Sequence, residues 1–175
     1  MDVLSPSSLS SAVSTISSEI GSSTSHPLVA VINNAGYCMI SPMELTPDKA
    51  VRDLFELDFW AYISVIRAFL PLLKKSKGRF INVASYGAYV NPPMWVPYSA
   101  AKAAVEAMSR AWRFELMPLG VGITSVRPGY TRFVLVFPSV VTVTNAGFDT
   151  GRMVLDPRLQ QASTHTSPPS TAAKQ

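Results

Sequence analysis

The run LVAVINNAG, from Leu28 to Gly36, decides the fold. Five apolar residues without a polar break end in Asn33-Asn34-Ala35-Gly36, a tight-turn composition. Leu28 to Ile32 is therefore expected to be a strand buried on both faces, as strands of parallel sheets are. Two further segments read as strands: RFINVAS from Arg79 to Ser85, expected to be buried, and GITSVR from Gly122 to Arg127, the latter closed by Pro128-Gly129. Helical patterns lie between them. Thr46-Pro47-Asp48 predicts a start with Thr46 as N-cap, Pro47 in the first helical position and an acid in the first turn, for a helix reaching Leu73 with a kink near Pro71. Pro97 to Met117 predicts another helix. Ahead of the first strand, Leu9, Val13, Ile16 and Ile20 form a helical face within Ser5 to Ile20, opposite a face that is nearly all serine. Strands alternating with helices imply an α/β fold, a parallel sheet covered on both faces.

Composition narrows the class. A chain of 175 residues, 47% hydrophobic, can bury one substantial core. The net charge of +4 is concentrated only at Lys74, Lys75, Lys77 and Arg79, beside Gly78, and this reads as a solvated helix-to-strand loop. No nucleic-acid partner is expected. Cys38 is the only cysteine, which excludes an internal disulfide, and the two histidines, His26 and His165, have no metal-ligand spacing. A reducing compartment, the cytoplasm, is expected, with no metal site. No signal-peptide pattern opens the chain, and no apolar run reaches the ~18 residues of a membrane span.

In a parallel sheet, chemistry gathers at the carboxyl ends of the strands, and the noteworthy polar residues here lie there: Asn34, Ser85 and the Pro128-Gly129 turn. Tyr98 and Lys102 sit one helical turn apart, so their side chains share a face. A free tyrosine, with pKa about 10, is a poor acid-base catalyst at neutral pH, and an adjacent ammonium favours its phenolate. A serine hydroxyl at a strand end can hold a carbonyl oxygen beside that phenol. The structural alternative is an ordinary core stripe through Ala101, Val105, Met108 and Trp112.

Four motifs occur in a fixed order: NNAG at Asn33 to Gly36, Ser85 thirteen residues before Tyr98, YSAAK from Tyr98 to Lys102, and Pro128-Gly129. Together they closely resemble the short-chain dehydrogenase/reductase family, from Met1 to about Arg132. The stretch RFELMPLGVGITSVRPG, Arg113 to Gly129, looks most like the branch that handles retinoids, steroids and 3-hydroxybutyrate. The resemblance implies hydride transfer between NAD or NADP and an alcohol or carbonyl, on a lipophilic substrate. Tyr98 would be the general acid/base, Lys102 would lower its pKa and bind the nicotinamide ribose, and Ser85 would bond the substrate oxygen. Asn34, Ala35 and Gly36 would lie against the adenosine side of the cofactor, and Asp2-Val3 would touch adenine. Pro128, Gly129 and Thr131 would flank the nicotinamide. Tyr89, Met94 and Trp95 suggest an apolar pocket wall.

The chain departs from the family in two ways. Asp58, in FELDFWAYISVIRAFLPLL, stands where the family usually has asparagine, a position that helps anchor a proton-relay water. A carboxylate there could accept the same hydrogen bond, but it would partly cancel the field of Lys102 at Tyr98; alternatively Asp58 is a solvent-reaching residue on a helix. The second departure is that no glycine-rich TGxxxGxG turn is present among the nine glycines. The expected fold is thus a partial Rossmann-type, doubly wound parallel sheet lacking its first two βα units, about 60 residues at ~30 per unit. Residues 1–132 form the truncated dinucleotide-binding domain, 133–160 an atypical C-terminal segment, and 161–175 a disordered Ser/Thr/Pro/Ala/Gln tail. The family's strand order leaves one edge of Leu28 to Ile32 without its neighbour, which predicts self-association or dependence on a partner. A return of FVLVFPSVVTV, Phe133 to Val143, onto that edge is the alternative, although the turn chemistry of Thr144 to Gly147 does not favour it. Two function classes remain: an NAD(P)-dependent oxidoreductase, or a catalytically inactive fragment that dimerises with a full-length relative through helices 46–73 and 97–117. For the aromatics of the first helix, burial against its own sheet is the competing reading.

Overall fold

The computed structural model describes residues 1–21, 27–129 and the backbone of 141–144. Helix α1 (Pro6–Gly21) precedes strand β1 (Ala30–Asn33), and a long helical passage leads from there to β2 (Arg79–Val83). A short helix, α4 (Gly87–Val90), and the 21-residue α5 (Val96–Leu116) then lead to β3 (Gly122–Val126). The sheet order is β3-β2-β1-β4, where β4 is Val141–Thr144. β1 pairs parallel with β2, Ala30 opposite Arg79 through Asn33 opposite Asn82, and β2 pairs parallel with β3. The expected strands and their parallel pairing are therefore present; β1 starts two residues later than expected and runs through Asn33, while β2 and β3 stop two residues and one residue early.

The long passage differs from the single predicted helix. It comprises α2 (Asp48–Phe55), a π-helical segment (Glu56–Trp60) and α3 (Ala61–Ser76). Thr46 is not the cap: its hydroxyl donates to the Pro42 carbonyl at 2.9 Å, and Pro47 occupies the N-cap position without a side-chain hydrogen bond. α3 runs through Pro71 to Ser76, so the break in α geometry comes at residues 56–60 and not at the proline. α3 ends where Lys77 turns left-handed at φ 56°. Gly78 follows because the turn lies against β1: a Cβ there would sit 2.6 Å from the Val29 carbonyl oxygen and 2.7 Å from that of Leu28. Lys74, Lys75, Lys77 and Arg79 around this turn are all exposed, as a solvated loop requires.

Side chains alternate across the sheet. Val31, Phe80 and Ile123 point to the face on which α3 and α5 lie, where they pack with Ala61, Ile66, Phe69, Leu73 and Leu116. Each large apolar side chain fully buried here contributes about 1.5–3 kcal/mol. The apolar stripe of α1, Leu9 with Val13, Ile16 and Ile20, closes this layer against α3. On the opposite face Ile32, Ile81 and Val83 are only half-buried and Val126 is exposed. Helices on both faces were expected. Among the described residues the helical layer covers one.

Polar pins cross the covered face. The Asn33 amide donates to the Asn82 side-chain oxygen at 2.8 Å, the Asn82 amide donates to the Ser109 hydroxyl at 2.8 Å, and that hydroxyl donates to the Val105 carbonyl. All three residues are buried, so each needs its partner.

The edge of β1 expected to lack a neighbour carries β4, antiparallel, with Ala30 opposite Thr144 and Asn33 opposite Val141. The C-terminal run thus returns to the sheet, the outcome that its turn composition did not favour. Backbone pairing along β1 outweighs turn preference, because a bare apolar edge leaves N–H and C=O groups unpaired. The segments at 130–140 and 145–175, including the predicted disordered tail, lie outside the described residues. A chain ended at residue 140 is expected to sediment as larger assemblies than the full chain. Identical sedimentation profiles would show that β4 does not protect the edge.

Candidate active site

A cleft of about 300 Å³ opens at the carboxyl ends of β1, β2 and β3. Asn34, Gly36 and Cys38 line it from the turn after β1, Ser85 and Tyr86 from the end of β2, and Pro128 and Gly129 from the end of β3. Tyr98 and Lys102 of α5 complete it. Pro97 at the start of α5 presets the first turn, which puts Tyr98 over the cleft. Tyr98 and Ser85 face the same cleft, the Ser85 hydroxyl pulls the pKa of the Tyr98 phenol down, and the Tyr98 ring meets the Trp95 ring edge-on at 5.6 Å. The Ser85 hydroxyl also accepts from the Gly87 amide at 3.0 Å, fixing its position.

Lys102 is buried, only 4% exposed. Its ammonium donates to the Val83 carbonyl at 3.2 Å and to the Tyr62 hydroxyl at 3.4 Å, and faces Asp58 Oδ2 at 3.2 Å. Asp58 is wholly buried, which overturns its reading as a solvent-reaching helix residue. Its Oδ1 accepts from the Tyr37 amide at 2.9 Å, while Oδ2 meets Lys102 as an ion pair without an aligned hydrogen bond. Burial pushes the Asp58 carboxyl above its ordinary range, with Lys102 and the Tyr37 amide pulling it partly back.

Lys102 does lower the pKa of Tyr98, as expected, but it does not set the balance. Burial pushes the phenol above its ordinary value of 10, and this outweighs the downward pull of the Ser85 hydroxyl and the Lys102 charge. Cys38 and Asp58 add to the upward push. The lysine nitrogen lies 5.9 Å from the Tyr98 ring centre and 3.2 Å from the Asp58 carboxylate. Tyr98 accordingly holds its proton at neutral pH.

The structure brings together Ser85, Tyr98, Lys102, Asp58, Asn34, Gly36, Pro128 and Gly129 around one cleft or its immediate support. It does not bring in the remaining expected residues. Val3 is buried in the core with Leu9, and Asp2 caps the adjacent turn, accepting from the Leu4 amide at 2.9 Å. Ala35 points into the same core. Thr131 lies outside the described residues. Of the expected apolar wall, Trp95 lines the cleft, whereas Tyr86, Val90 and Pro92 take the place of Tyr89 and Met94. Besides these wall residues, Tyr37, Cys38 and Tyr62 were not expected at the site. Burial pushes the Cys38 thiol up, and Asp58 adds to this. Tyr62 stands four residues after Asp58, the spacing that could have flagged it.

Three parallel strands with a Tyr, a Lys and a Ser at their carboxyl ends define a partial Rossmann-like α/β fold with a polar cleft at its strand ends. The family model described as short chain dehydrogenase matches residues 1–137, and the chain belongs to that family. It is 38% identical over 130 residues to estradiol 17-beta-dehydrogenase 2 of Mus musculus, covering 74% of this chain and 33% of that protein. It is 35% identical over 99 residues to the mitochondrial D-beta-hydroxybutyrate dehydrogenase of Rattus norvegicus, covering 57% of this chain and 29% of the relative. Among solved structures, a short-chain dehydrogenase from Streptomyces avermitilis superposes with a TM-score of 0.68 at 28% identity, over 75% of this chain and 47% of that one. A short chain dehydrogenase from Burkholderia cenocepacia J2315 in complex with NADP gives 0.64 at 32% identity, over 74% and 51%. The chain thus spans about a third or less of these curated relatives and about half of these solved structures.

The raised pKa of Asp58 has a measurable signature. A carboxyl that keeps its proton longer in the folded chain than in the unfolded one contributes most favourably below its ordinary value, and its contribution declines as pH rises from there through the folded value. The stability difference between the parent and Asp58→Asn, from urea unfolding, should therefore decline as pH rises above about 4. A difference that is flat with pH would show that Asp58 titrates normally.

Proposed function

We propose that this chain carries the substrate side of an NAD(P)-dependent oxidoreductase that interconverts an alcohol and a carbonyl on a lipophilic substrate. The observation that carries this reading is the convergence of Ser85, Tyr98 and Lys102 on one cleft whose lining includes Trp95, Val90 and Pro92. Family membership and the dehydrogenase names of its relatives support it.

The nicotinamide end of a dinucleotide fits the residues present. Among the described residues a Cβ at Gly129 would meet nothing within 4 Å, which leaves room for a flat ring beside the strand end. The pyrophosphate end has no counterpart, because the sequence holds no glycine-rich turn between a strand and a helix. A bound reduced nicotinamide would supply hydride to the carbonyl carbon. The residues of the chain would do the rest: Ser85 holds the carbonyl oxygen, and Tyr98 gives that oxygen its proton as the carbon is reduced. With its pKa raised, the Tyr98 phenol carries a proton at neutral pH, the state from which a carbonyl oxygen would be protonated. Lys102 holds its charge one turn away and stabilises the phenolate that donation leaves behind.

A specific observation also favours subunit association. Trp60 is 51% exposed, Phe114 71% and Met117 66%, all on or beside the two long helices. Tyr62 and Ile66 of the same passage are buried in their own core, so only part of that apolar surface is available to a partner.

Titration of the full chain with NADH and NADPH, followed by cofactor fluorescence, separates the two readings. Saturable binding with turnover of a lipophilic ketone supports the oxidoreductase, and Tyr98→Phe should then lose at least ~100-fold in turnover while retaining cofactor binding. Near-parental turnover in that variant would remove Tyr98 from the mechanism. Absence of binding together with dimerisation would favour the interaction protein.

A further inference from the structure

One buried acid takes no part in that chemistry. Glu106 lies one helical turn beyond Lys102 and two beyond Tyr98 on α5, with its side chain 2% exposed. Its Oε1 accepts from the Ser125 hydroxyl and from Arg127 Nε at 2.8 Å, and its Oε2 accepts from Arg127 Nη2 at 2.8 Å and from the Tyr89 hydroxyl at 3.1 Å. A carboxylate offers about four lone-pair positions, and all are filled. Burial alone would push this carboxyl up, but the bonds from Arg127, Ser125 and Tyr89 outweigh it and hold Glu106 below its ordinary value. The Arg127 guanidinium also lies over the Tyr89 ring, 4.9 Å from its centre.

The donors come from the other two walls of the cleft. Tyr89 is on α4, four residues after Ser85, and Arg127 directly precedes Pro128-Gly129. A four-residue helix has no stability of its own and must be held from outside. A brace between α5 and β3 would need only Ser125 and Arg127. Tyr89 is 48% exposed and adds nothing to such a brace, yet its hydroxyl reaches the same carboxylate.

We propose that Glu106 is a positioning residue of the cleft: through Tyr89 and Arg127 it sets the distance of Ser85 and Pro128-Gly129 from Tyr98 on its own helix. The kinetic part of this rests on the oxidoreductase reading, and the structural part does not.

The test uses the full chain and two variants, Tyr89→Phe, which removes one hydroxyl from an exposed residue, and Glu106→Gln. Amide exchange should speed up about tenfold at residues 86–91 in both, the effect of losing one charge-assisted hydrogen bond, with β1 and β2 amides unchanged. Turnover of a ketone should fall ~10- to 100-fold with the KM for NAD(P)H nearly unchanged, since misplacement by about an ångström acts on the reaction and not on cofactor binding. Unchanged exchange at 86–91, or an equal rise across β1 and β2, would overturn the proposal, as would an equal loss in both kinetic constants. If the parent turns over no ketone, the oxidoreductase reading fails and the exchange data alone decide. If Glu106→Gln does not fold, Tyr89→Phe decides.

Discussion

A lysine ammonium sealed from water is the constraint on which the site depends. Removing a cation from solvent costs several kcal/mol after relaxation, and only well-placed oxygens return it. Lys102 finds them on three elements: Asp58 in the π segment, the Tyr62 hydroxyl on α3, and the Val83 carbonyl at the end of β2. The Tyr62 hydroxyl itself donates to the same Val83 carbonyl at 3.0 Å, so the three groups form one buried cluster. Gly36 is part of this requirement, since a Cβ there would come within 3.0 Å of both the Lys102 nitrogen and Asp58 Oδ2. The turn after β1, the long helical passage and α5 are thereby fixed to one point.

This explains why polar contacts recur down α5. A helix packed on a sheet through apolar side chains alone can trade one set of contacts for another by sliding, because dispersion and burial are not directional. Lys102, Glu106 and Ser109 each hold a partner on another element that a shift of one residue would lose. Each buried polar group left unpartnered costs about 1–3 kcal/mol, comparable to a large apolar side chain. The core supplies the stability. The polar pins select one register, and the register puts Tyr98 beside Ser85.

The sequence made the sheet legible because its strands are short runs rich in Val, Ile and Thr lying between helical patterns, and the motifs fell at strand ends where a cleft must form. What it hid shares a physical cause. The π segment has no composition of its own; it arises because Asp58 must turn inward to meet Lys102, a contact made between residues 44 positions apart. Tyr62 read as one aromatic among many on an apolar helix, and only its hydroxyl, buried against Val83, marks it as part of the site. Glu106 followed YSAAK as an ordinary polar helix residue, since its donors lie on α4 and β3. The return of β4 was concealed because turn chemistry is local, whereas the unpaired edge that draws the strand back is created elsewhere in the chain.

Asp58 ties this architecture to the charge state of Tyr98. With a neutral amide at that position, the nearest opposite charge that could stabilise a Tyr98 phenolate would be Lys102 acting alone. With a carboxylate, the lysine faces an anion at 3.2 Å while its nitrogen lies 5.9 Å from the Tyr98 ring centre, so Asp58 offsets part of its field at Tyr98. Burial of the phenol acts in the same sense. Both effects act in one direction, against the phenolate, so the same pairing that seals Lys102 into the core also weakens its hold on the charge state of Tyr98.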